Sequence, residues 1–529
     1  MFGGTMMGAT EKVVGVAVSL VVMPLLLSHV GIEQYGLWVV ISSVLGYIGL
    51  VQIDVMRGSA RFIAFHAARG ELDIVRSLVT FASTSFFVLA LALTPVAWLV
   101  GTYLLPHLGV PSDLALLARN VFLLAFAHFC IERILGPLRA LMIGLERFWV
   151  FGTANMFGHL VYMALIVVLL LAGAGLYALP IALIVRSVFV AAVCYLAGRR
   201  FIGRVFGSPR LDKGVRRALF RFGSWHQVNA GARVINYQTD ALLIGAWVNI
   251  TTVGTYGVAA RIADLVQLFP QQLIPPLLPA ATAIHSEGDP KRLADVFLQA
   301  SRVFEVATFA IAGFVLATTS LISTFWLGTT YPQVAAITAL LVVGLVVANL
   351  TDIGATVLSA MGTPRYETEF AVSGALLNIA LTIPLGLAFG LYGILAGTLI
   401  GIVVSASYFV WRSHRILKLS IWAYFGDWLW RLATATLLAA ACTYAVNAAL
   451  PESLTSTRGA AALSLTALGV LYGCLLAGGL RALRFFTERD LQLLGHVLPE
   501  RLRWLTSLRP VEYLFGVRRL RPTPRGPVD

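Results

Sequence analysis

Long apolar stretches separated by short polar segments run through the whole chain. A helix that crosses a bilayer needs about 20 mostly apolar residues, and stretches of this kind recur about fourteen times. The pattern predicts an all-helical membrane protein with many spans. The predicted spans lie near residues 13–30, 35–55, 79–104, 119–142, 151–173, 177–197, 222–246, 252–282, 303–327, 333–361, 367–389, 391–411, 430–450 and 461–480.

Two of these spans need a closer description. The eighth contains four prolines between Pro270 and Pro279. We expect it to be kinked or broken, because proline removes a backbone hydrogen bond inside a helix. The first apolar stretch is not followed by a small-residue cleavage site, so we expect it to be retained as a helix.

The composition excludes several classes of protein. Hydrophobic residues make up 58% of the 529 positions and charged residues only 12%, against roughly 25% charged in soluble domains. A soluble enzyme, a disordered protein and a disulfide scaffold are therefore excluded. The four cysteines, Cys130, Cys194, Cys442 and Cys474, form no close-spaced pair, so neither a metal site nor a disulfide framework is predicted.

The positions of the basic residues predict the orientation in the membrane. If both termini lie inside, 34 of the 39 Lys and Arg residues fall on inner segments, and only Arg119 and Arg458 fall outside. Basic residues collect on the cytoplasmic side of membrane proteins. This bias predicts cytoplasmic termini, and it explains the net charge of +14 without a nucleic-acid partner.

Short motifs recur in the two halves of the chain at a nearly constant offset. Tyr35-Gly36 and Tyr256-Gly257 open the second and eighth spans, 221 residues apart. Residues 144–148 (GLERF) and 362–366 (GTPRY) precede the fifth and eleventh spans, at an offset of 218. Residues 175–178 (GLYA) and 390–393 (GLYG) open the sixth and twelfth, at an offset of 215. Together these matches predict an internal duplication of six spans.

The duplication predicts the domain organisation. Because six is even, both halves run in the same direction, which predicts two lobes related by a pseudo-two-fold axis along the membrane normal. We expect a cavity between the lobes and transport by alternating access. The predicted boundaries are 1–200 for the N-lobe, 201–221 for a basic linker, 222–412 for the C-lobe, 413–480 for two added helices and 481–529 for a basic amphipathic tail.

Polar residues at membrane depth form stripes on two predicted helices. Ionisable groups there cost roughly 2.5–3.5 kcal/mol each and usually face a cavity or a partner. We interpret the stripes as cavity lining. The alternative is that Arg233–Asp240 and Arg261–Asp264 are buried pairs that fix helix packing, and the close spacing of the second pair favours pairing. The stripe of the seventh span holds His226, Asn229, Arg233, Asn236, Tyr237 and Asp240, and that of the eighth holds Arg261, Asp264, Gln267 and Gln271.

The N-terminal half contains a smaller polar set. Asn155, His159 and Tyr162 share one face of the fifth span, and Arg186 lies within the sixth. Buried arginines favour anion binding, because the guanidinium fork matches phosphate oxygens. His128 and Glu132, four residues apart, are compatible with a proton relay or, as the more ordinary alternative, with a structural hydrogen bond.

The sequence contains no motif of a catalytic site. It has no phosphate-binding glycine loop, no nucleophile elbow and no zinc-ligand spacing. We therefore predict a protein that is not an enzyme and that uses no cofactor.

Three segments resemble bacterial polysaccharide-biosynthesis flippases of the multidrug/oligosaccharidyl-lipid/polysaccharide exporter superfamily. They are LLLSHVGIEQYGLWVVISSVLGYIGLVQIDV at 25–55, TDALLIGAWVNITTVGTYGVAARI at 239–262 and LIPPLLPAATAIHSEGD at 273–289. The resemblance implies a substrate in which an oligosaccharide is linked to undecaprenyl diphosphate, moved from the inner to the outer leaflet.

On this interpretation the diphosphate contacts Arg233, Arg261 or Arg186, and the polar groups of the fifth, seventh and eighth spans hold the sugar. Asp240 is the favoured site for cation coupling, with Asp264 as the other candidate. Membrane lipids surround the protein, and a polysaccharide polymerase or chain-length enzyme is a further expected partner. The alternatives are a cation-coupled multidrug exporter and a peptidoglycan lipid flippase of the same superfamily. A glycosyltransferase or polymerase would need a large outer loop, whereas the longest ones, near 105–118 and 451–460, are short.

Overall fold

The computed structural model describes residues 2–51, 55–331, 333–363 and 365–485. Throughout these ranges the regular structure is helical, which confirms the predicted fold class. A helix satisfies its own backbone hydrogen bonds, as a chain inside a bilayer must. The helices are α1 (Phe2–Ile48), α2 (Val55–Ala68), α3 (Leu72–Leu99), α4 (Ala115–Gly144), α5 (Phe148–Leu171), α6 (Ala178–Ile202), α7 (Lys213–Trp247), α8 (Ile250–Ala263), α9 (Leu265–Leu268), α10 (Ile274–Ser286), α11 (Pro290–Leu327), α12 (Val334–Asn349), α13 (Asp352–Ala360), α14 (Arg365–Ile416), α15 (Ile421–Tyr424), α16 (Trp430–Ala449) and α17 (Arg458–Ala482).

The predicted spans map onto these helices. Ten helical segments of the described chain are long and apolar enough to cross a membrane. Two helices each hold two predicted spans that meet at a glycine: Gly31 in α1, with φ 76°, and Gly390 in α14, with φ 57°. Both angles lie in the left-handed region that glycine adopts without steric cost. Glycine therefore ends one span and starts the next.

The eighth predicted span is broken, as its prolines indicate. α8 and α9 are followed by a short 3-10 turn that starts at Pro270, and α10 begins just before Pro275. The hydropathy pattern did not predict α2. This helix is amphipathic, with Ile63 fully buried and Arg61 exposed, and it is too short and too polar to be found as a span.

The chain forms two compact units. The N-terminal unit comprises the described residues of 1–260, 331–337 and 368–405, and the C-terminal unit comprises those of 261–330, 338–367 and 406–485. A core around Ile63, Leu78 and Leu141 lies in the first, and a core around Phe304, Tyr424 and Leu432 in the second. The lobe boundaries that follow from the duplication stay a prediction. The predicted tail lies outside the described residues from position 486 onward.

A glycine stripe lets the two spans of α14 approach each other closely. Gly393, Gly397 and Gly401 recur every four residues on the second span. A Cβ atom at Gly397 would lie 2.5 Å from the Cα atom of Thr382, and one at Gly401 would lie 3.1 Å from the backbone nitrogen of Asn378. Small residues at this spacing allow helix backbones to touch in a membrane.

We predict that Gly397→Ala lowers the thermal unfolding midpoint of the detergent-purified protein. Its methyl group would overlap the backbone at Thr382, and overpacking of this kind costs about 1–3 kcal/mol. The matched control is Gly473→Ala in α17, where a Cβ atom meets nothing within 4 Å. Alanine favours a helix over glycine, so this control should keep or slightly raise the midpoint. Equal midpoints for the two variants would contradict the predicted close approach.

Candidate functional site

A cavity of about 490 Å³ lies within the N-terminal unit. The second half of α1, the middle of α4 and the middle of α7 form most of its wall, together with Leu183 of α6. Its polar wall is formed by Ser42, His128, Glu132, Arg133, Gln227 and Arg233, and its apolar wall includes Trp38, Leu45, Leu50, Ala125, Phe129 and Val234. The cavity therefore combines charged groups with large apolar and aromatic surfaces.

Hydrogen bonds from α1 and the turn that follows it hold α7 in place along the cavity wall. The Gln227 amide donates to the Leu50 carbonyl at 2.7 Å, and the Ser43 hydroxyl donates to Gln238 at 2.8 Å. Tyr47 and Thr239 share a further bond of 2.5 Å. These bonds hold α7 in register with α1, so Arg233 is directed from a fixed helix rather than from a loop.

The cavity has a surplus of positive charge. Among the described lining residues the one carboxylate, Glu132, accepts a hydrogen bond from Arg139 at 3.1 Å, so its charge is already balanced. The Arg133 guanidinium lies 5.2 Å from the centre of the Phe129 ring, and Arg233 is exposed. Within the described part of the chain neither of these two arginines is in an ion pair. Two guanidinium groups thus remain available to an anion.

His128 and Glu132 do not form the hydrogen bond that their spacing permits. The His128 Nε2 atom lies 3.8 Å from the Glu132 carboxylate, too far for such a bond. Instead, His128 contacts the Ser187 hydroxyl at 3.2 Å. The geometry favours structural roles for both residues over a proton relay.

The predicted N-terminal polar set forms a separate cluster. Arg186 donates from Nη2 to the His159 Nε2 atom at 3.3 Å, and Asn155, one turn earlier on α5, is buried. A Cβ atom at Gly15 of α1 would lie 3.1 Å from the His159 ring, so the ring packs closely against α1. These residues are brought together, but the lining described above does not include them.

The remaining α7 residues differ in exposure. Asn229 is half-buried, and its Oδ1 atom has no hydrogen-bond partner in the described chain. Asn236 is half-buried near Gly374, and Tyr237 is 53% exposed. His226 belongs to α7, but its side chain lies outside the described residues.

Asp240 is the centre of a buried cluster of oxygen atoms. The Thr398 hydroxyl donates to its Oδ1 atom at 2.7 Å and accepts from Asn378 at 2.9 Å. The Thr382 hydroxyl lies 3.3 Å from that of Thr398. All four residues are buried, and the Oδ1 atom of Asn378 has no partner among the described residues. The glycine stripe of α14 builds this cluster, because it brings Asn378 and Thr382 against the turn that carries Thr398.

The two arginine–aspartate pairs that the sequence suggests, Arg233–Asp240 and Arg261–Asp264, differ in the structure. Asp240 bonds to Thr398, and Arg233 lines the cavity, so the described structure does not pair them. Arg261 and Asp264, in the C-terminal unit, lie 3.6 Å apart, and their side chains are 65% and 59% exposed. This geometry favours mutual pairing for Arg261 and Asp264, as their spacing indicates, over separate roles in binding and coupling.

Several residues of this site were missed by the sequence analysis. The charge pattern does not distinguish Arg133 from the other basic residues of the inner segments, although Arg133 directly follows Glu132 on α4. Its position directly beside His128 and Glu132 in the sequence was the available signal. Gln227, Asn378 and Thr398 carried no comparable signal, because uncharged polar residues are frequent in membrane helices.

The fold is shared with solved transporters. A lipid II flippase, MurJ, in an inward closed conformation is 14% identical, with a TM-score of 0.69 over 91% of this chain and 100% of its own. An inward-facing MATE family multidrug resistance transporter of the MOP superfamily is 12% identical, with a TM-score of 0.64 over 78% and 98%. A MOP superfamily transporter from Pyrococcus furiosus is 14% identical, with a TM-score of 0.58 over 78% and 95%. At these identities the likeness shows the fold alone.

A search of the curated proteins finds no match to the chain. Residues 32–336, more than half of the chain, match the family described as polysaccharide biosynthesis protein. This match confirms the resemblance found in the sequence. The chain therefore belongs to the polysaccharide biosynthesis protein family, as a multi-pass membrane protein with the fold of the MOP superfamily transporters.

Proposed function

We propose that this protein is a flippase that moves oligosaccharide linked to undecaprenyl diphosphate from the cytoplasmic to the periplasmic leaflet of a bacterial inner membrane. The product would serve O-antigen, capsule or exopolysaccharide synthesis. Both termini are cytoplasmic in this proposal, and the protein is a transporter rather than an enzyme. A polysaccharide polymerase or chain-length enzyme would receive the flipped lipid.

The positive cavity of the N-terminal unit is the observation that supports this proposal. Arg133 and Arg233 face it, while the charge of Glu132 is balanced by Arg139. A diphosphate is a dense, multiply charged anion, and each guanidinium can donate two parallel hydrogen bonds to its oxygens. A multidrug exporter for cationic drugs would instead need an uncompensated acidic cavity.

The rest of the cavity suits the headgroup and the lipid. The Trp38 and Phe129 rings offer flat apolar faces, and Gln227 and Ser42 add polar groups. These groups can stack against sugar rings and bond to sugar hydroxyls. The prenyl chain would stay in the surrounding lipid, because moving it out of the lipid would give no gain in free energy.

A peptidoglycan lipid flippase is the second candidate. The MurJ structure aligns over its full length, and its named substrate, lipid II, would place the same demand on a cationic cavity. The two candidates differ in the headgroup, so a substrate comparison decides between them.

The surroundings of Asp240 support a role for this residue in cation coupling. A fully buried carboxylate is costly unless a cation or a proton neutralises it, and its neighbours here are hydroxyl and amide oxygens. Such hard oxygen ligands suit Na⁺ or a proton. Binding at this site would link an ion gradient to the conformational cycle.

We predict that Arg133→Ala and Arg233→Ala each reduce flipping in cells that lack the native protein. Loss of one charge-assisted hydrogen bond costs about 1.5–3 kcal/mol, or about tenfold or more in binding. The measurement is leaflet-resolved quantification of lipid-linked oligosaccharide, and cytoplasmic-leaflet accumulation should persist in both variants.

The matched control is Arg217→Ala, an exposed arginine at the start of α7, which should restore flipping. Full rescue by both cavity variants would assign Arg133 and Arg233 to packing. If deletion of the protein causes no accumulation of lipid-linked oligosaccharide, the proposed substrate is wrong. Accumulation of lipid II in its place would favour the second candidate.

We predict that Asp240→Asn removes the stimulation of flipping by an imposed Na⁺ or proton gradient in proteoliposomes, while substrate binding is retained. The amide keeps the shape and the Thr398 contact but carries no charge to attract a cation. Asp113→Asn, at an exposed loop position, serves as the control and should keep the stimulation. Unchanged gradient stimulation in Asp240→Asn would exclude this residue as the coupling site.

A further inference from the structure

A second buried acidic cluster lies in the core of the C-terminal unit, and the preceding proposal does not use it. α11 places Ser301, Glu305 and Thr308 on one face, and all three are at most 1% exposed. Neither carboxylate oxygen of Glu305 has a hydrogen-bond partner in the part of the chain that the structure describes. A buried carboxylate without a partner points to a missing ligand, because the charge is too costly to leave alone.

Asp352 is the neighbour of Glu305 in this cluster. It is the first residue of α13, directly after the break that follows Asn349. Its Oδ2 atom accepts a hydrogen bond of 2.6 Å from the Gln271 amide. Asn349, three residues before Asp352, donates to Thr308, three residues after Glu305, so the two acidic residues lie on adjacent segments. Asp352 is half-buried, and neighbouring carboxylates disfavour each other's ionisation unless a cation lies with them.

Side chains from three further elements complete the surroundings. Gln267 donates to Asn349 at 3.4 Å, and Asn349 donates to Thr308 at 3.3 Å. Tyr424 is fully buried and packs in the same core cluster as Phe304, the residue before Glu305. The cluster is therefore rich in oxygen atoms that α9, α11, α12, α13 and α15 hold in place.

The charged and titratable groups around the cluster do not neutralise it. Glu367, at the start of α14, adds a further negative charge near Asp352. Arg302, on the same helix as Glu305, donates to the Phe485 carbonyl, and its guanidinium carbon lies 4.4 Å from the centre of the Phe485 ring. His414 of α14 packs edge-on against Tyr424, and Tyr472 of α17 contacts α11 two turns away, at Gly313. Among the described residues no basic group forms an ion pair with Glu305 or Asp352.

We infer that Glu305 and Asp352 form a buried site for a monovalent cation, Na⁺ or a proton, separate from the cluster at Asp240. Carboxylate, amide and hydroxyl oxygens are hard ligands that suit such an ion. A divalent metal is disfavoured, because no group of three or more His, Cys, Asp or Glu residues in the described chain is placed to hold one. The inference goes beyond the proposed function and does not depend on the transported substrate.

The site occupies a hinge-like position in the chain. Gln271 lies in the 3-10 turn between α9 and α10, and Asp352 lies at the break between α12 and α13. Both are places where helices are interrupted, and broken helices at ion sites are a recurring feature of transporters. Loss of the cation would leave the negative charges of Glu305 and Asp352 uncompensated, and their repulsion would push these elements apart.

The test is infrared difference spectroscopy of the full-length protein in nanodiscs, near neutral pH, in choline chloride and then in NaCl. Asp240→Asn serves as the background, because Asp240 is the other acidic residue that is fully buried among the described residues. We expect a protonated-carboxyl band in choline chloride that disappears in Glu305→Gln. Glu287→Gln, an exposed residue paired with Arg292 at 2.6 Å, is the control and should leave the band unchanged.

The two salts identify the cation. Loss of the Glu305 band on addition of NaCl would show that Na⁺ replaces the proton, and retention of the band would show that the resident cation is a proton. Both results support the inferred site. No Glu305-dependent band in choline chloride would mean that the residue is ionised without a cation, and the inference would be wrong.

A second variant keeps the test decisive if Glu305→Gln does not fold. Asp352→Asn removes the neighbouring negative charge, so Glu305 should lose its proton at a lower pH than in the Asp240→Asn background alone. An unchanged titration would show that the two carboxylates do not share a cation. Because no lipid-linked substrate is used, a failure here leaves the proposed flippase activity standing.

Discussion

The cost of removing charge from water is the constraint on which the rest of this structure depends. It keeps most spans free of ionisable residues, so the few that remain must face a cavity, a partner or a bound ion. In the described chain the ionisable residues have three kinds of surroundings. Arg133 and Arg233 face a cavity, and Glu132 is paired with Arg139. Asp240 and Glu305 lie among oxygen atoms. In our proposals the first arrangement binds an anion and the last binds a cation, as a transporter that couples two solutes would require.

Close backbone contact makes these arrangements possible. Gly390 turns the chain with a positive φ, and the stripe from Gly393 to Gly401 then brings the two spans of α14 together. The contact places Asn378 beside Thr398, which bonds to Asp240 of α7. A larger residue in the stripe would separate the spans and disperse the oxygen cluster. The glycines are thus required for the close packing of the two spans, and this packing positions the oxygen atoms around Asp240.

Hydropathy was sufficient to predict the spans, because membrane insertion depends on local composition. It predicted the division of α14 near Gly390, and the prolines predicted the break of the eighth span. It missed α2, whose burial of Ile63 depends on neighbouring helices rather than on overall apolarity. The stripe on α7 identified Arg233 and Asp240, but Thr398 lies 158 residues from Asp240, and a single sequence does not encode such a contact visibly. Glu305 is the one acidic residue of the ninth predicted span. This isolated charge was a sequence signal for a buried polar site that the polar stripes did not include.

The central claim is that the cavity of the N-terminal unit recognises a diphosphate. The most direct measurement compares the affinities of the purified protein in nanodiscs for two lipids with the same prenyl chain and oligosaccharide, joined either by a diphosphate or by an uncharged linker. We expect the diphosphate lipid to bind at least about tenfold more tightly, because one charge-assisted contact is worth about 1.5–3 kcal/mol, and we expect the preference to disappear in the Arg133→Ala, Arg233→Ala double variant. Equal affinities of the unaltered protein for the two lipids would contradict the account.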